Sequence, residues 1–113
     1  AAQKAAAAAA VAGKGCLIGT TQELSIGTAA QAVFGAALTN LDAISDPTGP
    51  RLYVDDIAVN PVQYENGYLI VPDRSRPGLG VEVDWEKVEH YRAPGLTWGE
   101  QSVHQLQDRT TSA

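Results

Sequence analysis

Several places in this 113-residue chain hold residues whose types or spacing could do chemistry. Thr20-Thr21-Gln22-Glu23 sets a carboxyl behind two hydroxyls and an amide, between the apolar run Cys16-Leu17-Ile18 and a stretch that begins at Ser25. By position alone, Glu23 is a first-turn glutamate that a helix amino terminus would stabilise. Thr20, Thr21 and Gln22 read as turn residues that satisfy backbone groups. Asp55-Asp56 pairs two carboxyls, but a hard cation wants more oxygen ligands, and such a pair more often caps or faces water. Glu86 and His90 lie one helical turn apart beside Glu89, which reads as a solvated helix face. Cys16, the single cysteine, sits in an apolar run with no base nearby, the setting of a small core residue. His104 has no neighbour in sequence to work with. Gly78-Leu79-Gly80 lacks the spacing and the following lysine of a phosphate loop.

These residues need elements to hold them. Alanine's high helix propensity predicts a helix over residues 1–12, stopped by Gly13-Lys14-Gly15. Cys16-Leu17-Ile18, with glycine on both sides, has the pattern of a strand buried on both faces. Ser25 can cap a second helix running to about Asn40. Its apolar face would be Ile26, Ala29, Ala30, Val33, Phe34, Ala37 and Leu38, which fall at helical spacing. Helix, buried strand, polar turn and helix together are α/β in character.

The second half changes style. Asp46-Pro47-Thr48-Gly49-Pro50 reads as a loop. Val59 to Val62 holds Pro61, so any strand there is an edge strand. Glu65-Asn66-Gly67-Tyr68 carries the strongest two-residue hairpin signal, leading into a strand Tyr68 to Val71. Pro72 to Gly80 is a crossing loop, and Val81-Glu82-Val83 a brief extended piece. Asp84 can cap a short helix from Trp85 to about Tyr91, with Trp85, Tyr68 and Tyr91 as packing residues. From Ala93 onward the chain is polar and without periodicity, a tail ordered only if something holds it.

Composition narrows the function classes. With 44% apolar and 19% charged residues the chain is ordinary for a globular protein. Thirteen acidic residues against eight basic ones give a formal charge of −5, and no basic patch is available to neutralise phosphates, so nucleic acid is not an expected partner. No apolar run approaches the ~20 residues that span a bilayer, and Ala5 to Ala10 behind Lys4 is too weakly apolar for an export signal. A lone cysteine excludes an internal disulfide framework and fits a reducing compartment, so a cytoplasmic location is expected.

A family resemblance runs through residues 10–92. Asn66-Gly67-Tyr68-Leu69-Ile70-Val71-Pro72, followed by Pro77-Gly78-Leu79-Gly80-Val81-Glu82-Val83-Asp84, resembles the closing signature of the mandelate racemase and muconate lactonizing branch of the enolase superfamily. Upstream, Gly19-Thr20-Thr21-Gln22-Glu23-Leu24-Ser25-Ile26-Gly27-Thr28 is similar to the G-T-x-x-E-x-x-x-G-T stretch of muconate cycloisomerases. Asp55-Asp56-Ile57 also sits where those enzymes carry such an element.

The resemblance implies the carboxy-terminal end of a TIM-type (β/α)7β barrel. A complete barrel needs roughly 250 residues, so this chain would be a fragment of one. Residues 1–45 would be the end of the barrel, with Cys16-Leu17-Ile18 as its eighth strand and Ser25–Asn40 as the helix after it. Residues 46–92 would carry the hairpin and short helix back towards a lid domain, and 93–113 would be the tail. The family abstracts a proton alpha to a carboxylate, or adds to the conjugated equivalent, while Mg²⁺ or Mn²⁺ stabilises the enolate. Its metal ligands and catalytic lysines or histidine belong to earlier strands that this chain lacks, so the chain is not expected to be catalytic alone or to bind the ion by itself.

The same resemblance gives Glu23 a role: facing the substrate carboxylate or enolate, as an acid that a partly apolar site keeps protonated. Thr20, Thr21 and Gln22 would be substrate contacts. The expected partners are the remainder of the barrel and lid, a small carboxylate substrate and a second copy of the protein. A competing reading is a free-standing, barrel-derived binding or assembly module, which would have to oligomerise to cover its sheet edges.

Overall fold

Alanine content and a glycine stop build the first element. Helix α1 spans Ala2–Val11, and Gly13 at φ +64° turns the chain out of it. The Lys14 N–H reaches back to Ala9 O at 2.8 Å, the long bond of a glycine-ended helix. The computed structural model describes residues 1–42 and 44–94. The expected tail, with His104, lies almost wholly outside the described residues.

Helix α2 spans Ser25–Ala36, ending four residues short of the expected Asn40. Its deepest face is also not the one that apolar spacing predicts. Ser25, Thr28, Ala29, Ala32 and Gly35 are buried, whereas Ala30 and Ala37 are exposed. The buried residues are small, and close approach is the reason: a Cβ on Gly35 would lie 2.8 Å from the Ile18 side chain. Ser25 is the first helical residue rather than the cap, which is Leu24.

The segment Cys16-Leu17-Ile18 is extended but one-sided. Cys16 pairs in parallel with Leu41, the Cys16 N–H donates to Asn40 O at 2.7 Å, and the Asp46 N–H donates to Ile18 O at 3.0 Å. Ser45 Oγ accepts from the Ile18 N–H at 3.0 Å. The chain after α2 therefore comes back beside the first segment, meeting it in parallel at the single Cys16–Leu41 bridge. The burial on both faces expected of this run is not found, since Leu17 is 59% exposed.

After a 3₁₀ turn over Gly49–Leu52, in the stretch expected to be loop, the chain returns along α2. An antiparallel pair joins Ala58 to Val83, with Val59 N–H to Glu82 O and Asp84 N–H to Ile57 O. That pairing takes the place of the edge strand expected over Val59–Val62, because Pro61 has no N–H to offer. Strands β1 (Tyr64–Glu65) and β2 (Tyr68–Leu69) form the hairpin, registered Tyr64 to Leu69 and Glu65 to Tyr68. Asn66 and Gly67 both have positive φ, +50° and +83°, as the tightest hairpin turn requires. Helix α3 spans Trp85–His90, and Asp84 Oδ1 caps it by accepting from the Lys87 N–H at 3.1 Å. Trp85 and Tyr68, expected to pack, are 67% and 74% exposed, and Tyr91 is also exposed. The buried apolar core among the described residues is correspondingly small: Ala6, Ala29, Ala32, Ala58 and Val62.

Candidate functional site

The turn between Cys16–Ile18 and α2 folds around the Glu23 carboxylate. Glu23 Oε2 accepts from the Thr21 N–H at 2.7 Å and from the Thr21 hydroxyl at 3.1 Å. The Gln22 N–H donates to Thr20 Oγ1 at 3.3 Å, and Gln22 itself stands at φ +68°, a left-handed conformation that few glutamines adopt. From the second turn of α2, Gln31 Nε2 donates to Gly19 O at 3.0 Å and pins the end of the extended segment.

Two glycines make the room. A Cβ on Gly27 would meet the Glu23 side chain at 2.7 Å, and one on Gly49 would meet Glu23 O at 2.0 Å. The 3₁₀ turn is thereby packed directly against the Glu23 backbone. From its far end the Tyr53 hydroxyl donates to Gln22 O at 2.7 Å. Asp56 completes the clamp. It is 9% exposed, and its Oδ2 accepts from Ser25 N–H at 2.9 Å and from Ser25 Oγ at 2.8 Å. Its Oδ1 accepts from Ala58 N–H at 2.9 Å. A carboxylate on the amino end of α2 satisfies a helix N–H and suits the helix dipole, the task that sequence assigned to the Ser25 side chain. Ser25 Oγ in turn accepts from the Val62 N–H at 3.1 Å.

The electrostatics of Glu23 are a balance. Burial pushes its carboxyl up, but the N–H groups of Glu23 and Thr21, the Thr21 hydroxyl and Gln31 together outweigh it, so it lies below the ordinary carboxylate value. No hydrogen bond of ordinary geometry joins Gln31 to Glu23 Oε1, which is buried and unpartnered. The expected acid form is therefore not what this chain produces by itself, because its turn supplies donors to the charged form. Among the four expected site residues the structure brings Thr21 and Glu23 into contact. Thr20 and Gln22 support the turn, Thr20 through its hydroxyl and Gln22 through its backbone. Tyr53 and Gly49 were not legible as site residues, since each acts across about 25 or more residues of chain; Asp56 was legible as one of a carboxylate pair that caps, but not as a cap on α2, 31 residues away.

The other candidates have local partners. Asp55 Oδ1 pairs with Lys87 Nζ at 2.7 Å and its Oδ2 accepts from Tyr91 OH at 2.9 Å. The lysine, then the Asp56 N–H and the Tyr91 hydroxyl, bring the Asp55 carboxyl down to about 2. His90 packs edge-on against Tyr91, with centroids 4.7 Å apart, and Glu89 pairs with Arg92. Cys16 Sγ accepts from the Asn40 amide at 3.4 Å. Among the described residues no three His, Cys, Asp or Glu side chains converge on a place for a metal ion. The divalent ion of the resembling family has no fitting set of ligands among the described residues. No helix among the described residues is long and apolar enough to cross a membrane.

Comparison with known proteins meets this geometry. Residues 1–88 match the family described as enolase C-terminal domain-like. Muconate cycloisomerase 1-1 of Acinetobacter lwoffii is 40% identical over 96 residues, covering 85% of this chain and 25% of that protein. Muconate cycloisomerase 1 of Rhodococcus opacus is 35% identical over 78 residues, covering 69% of this chain and 20% of that protein. Among solved structures, the muconate lactonizing enzyme from Klebsiella pneumoniae superposes with a TM-score of 0.72 at 35% identity, covering 78% of this chain and 24% of that one. The chain thus spans about a quarter or less of the length of these relatives. A glutamate turn at the end of a parallel segment, the hairpin and the glycine-rich crossing loop fall within one family match, and the chain belongs to the enolase C-terminal domain-like family, in company with muconate cycloisomerases.

Proposed function

We propose that this chain is the carboxy-terminal portion of a divalent-metal-dependent, muconate cycloisomerase-like enzyme and supplies Glu23 to its active site. The observation that carries the reading is the division of labour between the two oxygens of Glu23. Oε2 is anchored by Thr21 while Oε1 is buried without a partner. A buried carboxylate oxygen with no donor is destabilising, and such a group calls for an explanation. A substrate placed at the carboxyl end of the parallel segments, where barrel enzymes build their sites, would meet that oxygen.

The charge state follows from enclosure. Burial is already the largest single influence on Glu23 and acts upwards. The remainder of a barrel would add burial without adding to the Thr21 donors, moving Glu23 towards the acid form that can donate to an enolate or substrate carboxylate. Thr20, Thr21 and Gln22 would frame the substrate's polar end. Mg²⁺ or Mn²⁺ falls to residues outside this chain, as do the bases that move the proton, so the chain does not catalyse alone. A small carboxylate substrate, a cytoplasmic location and a homo-oligomeric assembly complete the reading, and muconate is the substrate to try first because the relatives are named for it.

The test is a chimera in which residues 1–88 of this chain replace the aligned segment of the Acinetobacter lwoffii enzyme, assayed for consumption of muconate. Turnover is expected. In the chimera, Glu23→Gln should lower kcat on the order of 10²-fold, with a smaller change in KM and unchanged folding. A folded, substrate-binding chimera whose turnover is indifferent to Glu23→Gln would remove the assignment.

A further inference from the structure

We propose that Tyr53 is a positioning residue for Glu23, its hydroxyl fixing the peptide that joins Gln22 to Glu23. The inference rests on the reading of Glu23 given above and names the group that controls it. Gln22 is one of two described non-glycine residues with positive φ. The other, Asn66, lies in a hairpin turn that calls for that conformation. Gln22 has no such turn to excuse it, and a left-handed non-glycine residue persists only where its surroundings over-determine it.

The surroundings can be identified. Inside the turn, the Gln22 N–H has only the 3.3 Å bond to Thr20 Oγ1. From outside comes the 2.7 Å bond of Tyr53 OH to Gln22 O, spanning 31 positions of chain. That carbonyl belongs to the peptide immediately before the Glu23 Cα. Its orientation sets the direction of the Glu23 side chain and whether the Thr21 N–H points at Oε2. On the next peptide, Gly49 sits against Glu23 O where no side chain fits. One contact therefore holds each peptide flanking Glu23, and both come from the stretch Gly49–Tyr53. The Tyr53 ring lines an apolar cleft with Leu24, Ile57 and Tyr91, which aims the hydroxyl.

The test uses the full chain and reads Glu23 directly. The Glu23 carboxyl is titrated by carbon-13 NMR, and exchange of the Thr21 amide is followed, in Tyr53→Phe and Tyr53→Ala. The charged and titratable groups that share this region are Arg51, Asp56 and Tyr64, with Asp55 and Tyr91 in the cleft beside Tyr53, and neither substitution replaces any of them. Tyr53→Phe keeps the ring and is expected to raise the Glu23 pKa towards the ordinary carboxylate value as the Thr21 donors swing away. The Thr21 amide should exchange about fivefold faster, the ratio one ordinary hydrogen bond supports. Adding Gln22→Asn, which tolerates positive φ better, should restore part of both effects. Unchanged titration and exchange in Tyr53→Phe, effects in Tyr53→Ala alone, or no recovery with Gln22→Asn would each overturn the proposal. The chimera separates this from the parent reading. Indifference of its turnover to Glu23→Gln would remove the role of Glu23 and leave the titration result standing, whereas an unmoved titration would remove Tyr53 and leave Glu23.

Discussion

At the residue scale, what distinguishes Glu23 from an ordinary first-turn glutamate is the tightness of its seat. Gly49 is the sharpest probe of that seat, because a methyl group there would collide with backbone, which cannot swing aside as a flexible side chain can. Gly49→Ala is expected to destabilise the chain by about 1–3 kcal/mol, the range of an overpacked site. Chemical denaturation measures it, and an unchanged midpoint would mean that the 3₁₀ turn is not packed as described. A second residue-scale expectation concerns Asp55, whose carboxyl is lowered from 3.8 to about 2 by Lys87, the Asp56 N–H and Tyr91. A carboxyl with a depressed folded pKa contributes stability above its unfolded value, and that contribution is lost as pH falls through the folded value. The difference in melting temperature between the parent chain and Asp55→Asn should therefore shrink as pH drops from about 3.8 to about 2. A difference that stays constant across that window would show that Asp55 acts by something other than its charge. Lys87, raised by the same contact, belongs to the same pair: its share is lost with the Asp55 charge at low pH and fades again at high pH as the lysine itself deprotonates.

At the scale of elements, the legible features were those whose causes are local. The Asn66-Gly67 hairpin, the Asp84 cap of α3 and the Gly13 stop of α1 each depend on a few neighbouring residues, and each appears where the residues put it. The bridge of Cys16 to Leu41 and the clamp of Asp56 on α2 join residues distant in sequence, and no local pattern announces them. Ser25 shows how the misreading arises. Serine before a helical run is a good cap by type, but here its own N–H and hydroxyl are the groups being capped. Glu23 was legible as a candidate through motif alone, and the lowering of its carboxyl in this chain was not, because Thr21 as a donor is a matter of turn geometry. The clamp makes its own prediction. Asp56→Ala leaves the Ser25 N–H and hydroxyl and the Ala58 N–H without their acceptor in a buried place. The loss should be roughly 3 kcal/mol in denaturant unfolding, with Asp56→Asn, which keeps one acceptor oxygen, losing about half as much. Equal losses for the two would mean that acceptor geometry is not what matters.

At the scale of the whole molecule, the open edge of Cys16–Ile18 decides between a piece of a barrel and a self-sufficient module. Residues 16 and 18 turn their backbone groups towards Asn40, Ser45 and Asp46, so those of Leu17 face the opposite side, where no described residue bonds to them. Its side chain is more than half exposed, and Ile44, Val54 and Trp85 are exposed as well, while the buried apolar residues are mostly alanines. A sheet edge of this kind wants covering. Leu17→Lys separates the cases because the two environments differ so much. In the chain alone the lysine replaces an exposed leucine, and the change in unfolding free energy should stay within about 0.5 kcal/mol. In the chimera, where neighbouring strands enclose the same position, a lysine would have to be buried unpaired, and folded yield and turnover should both collapse. Amide exchange at Leu17 gives the same answer without a substitution: fast in the chain alone, protected in the chimera. If the chimera tolerates Leu17→Lys and leaves that amide unprotected, the edge has no neighbour in the complete enzyme, and the barrel placement of the Glu23 turn falls with it.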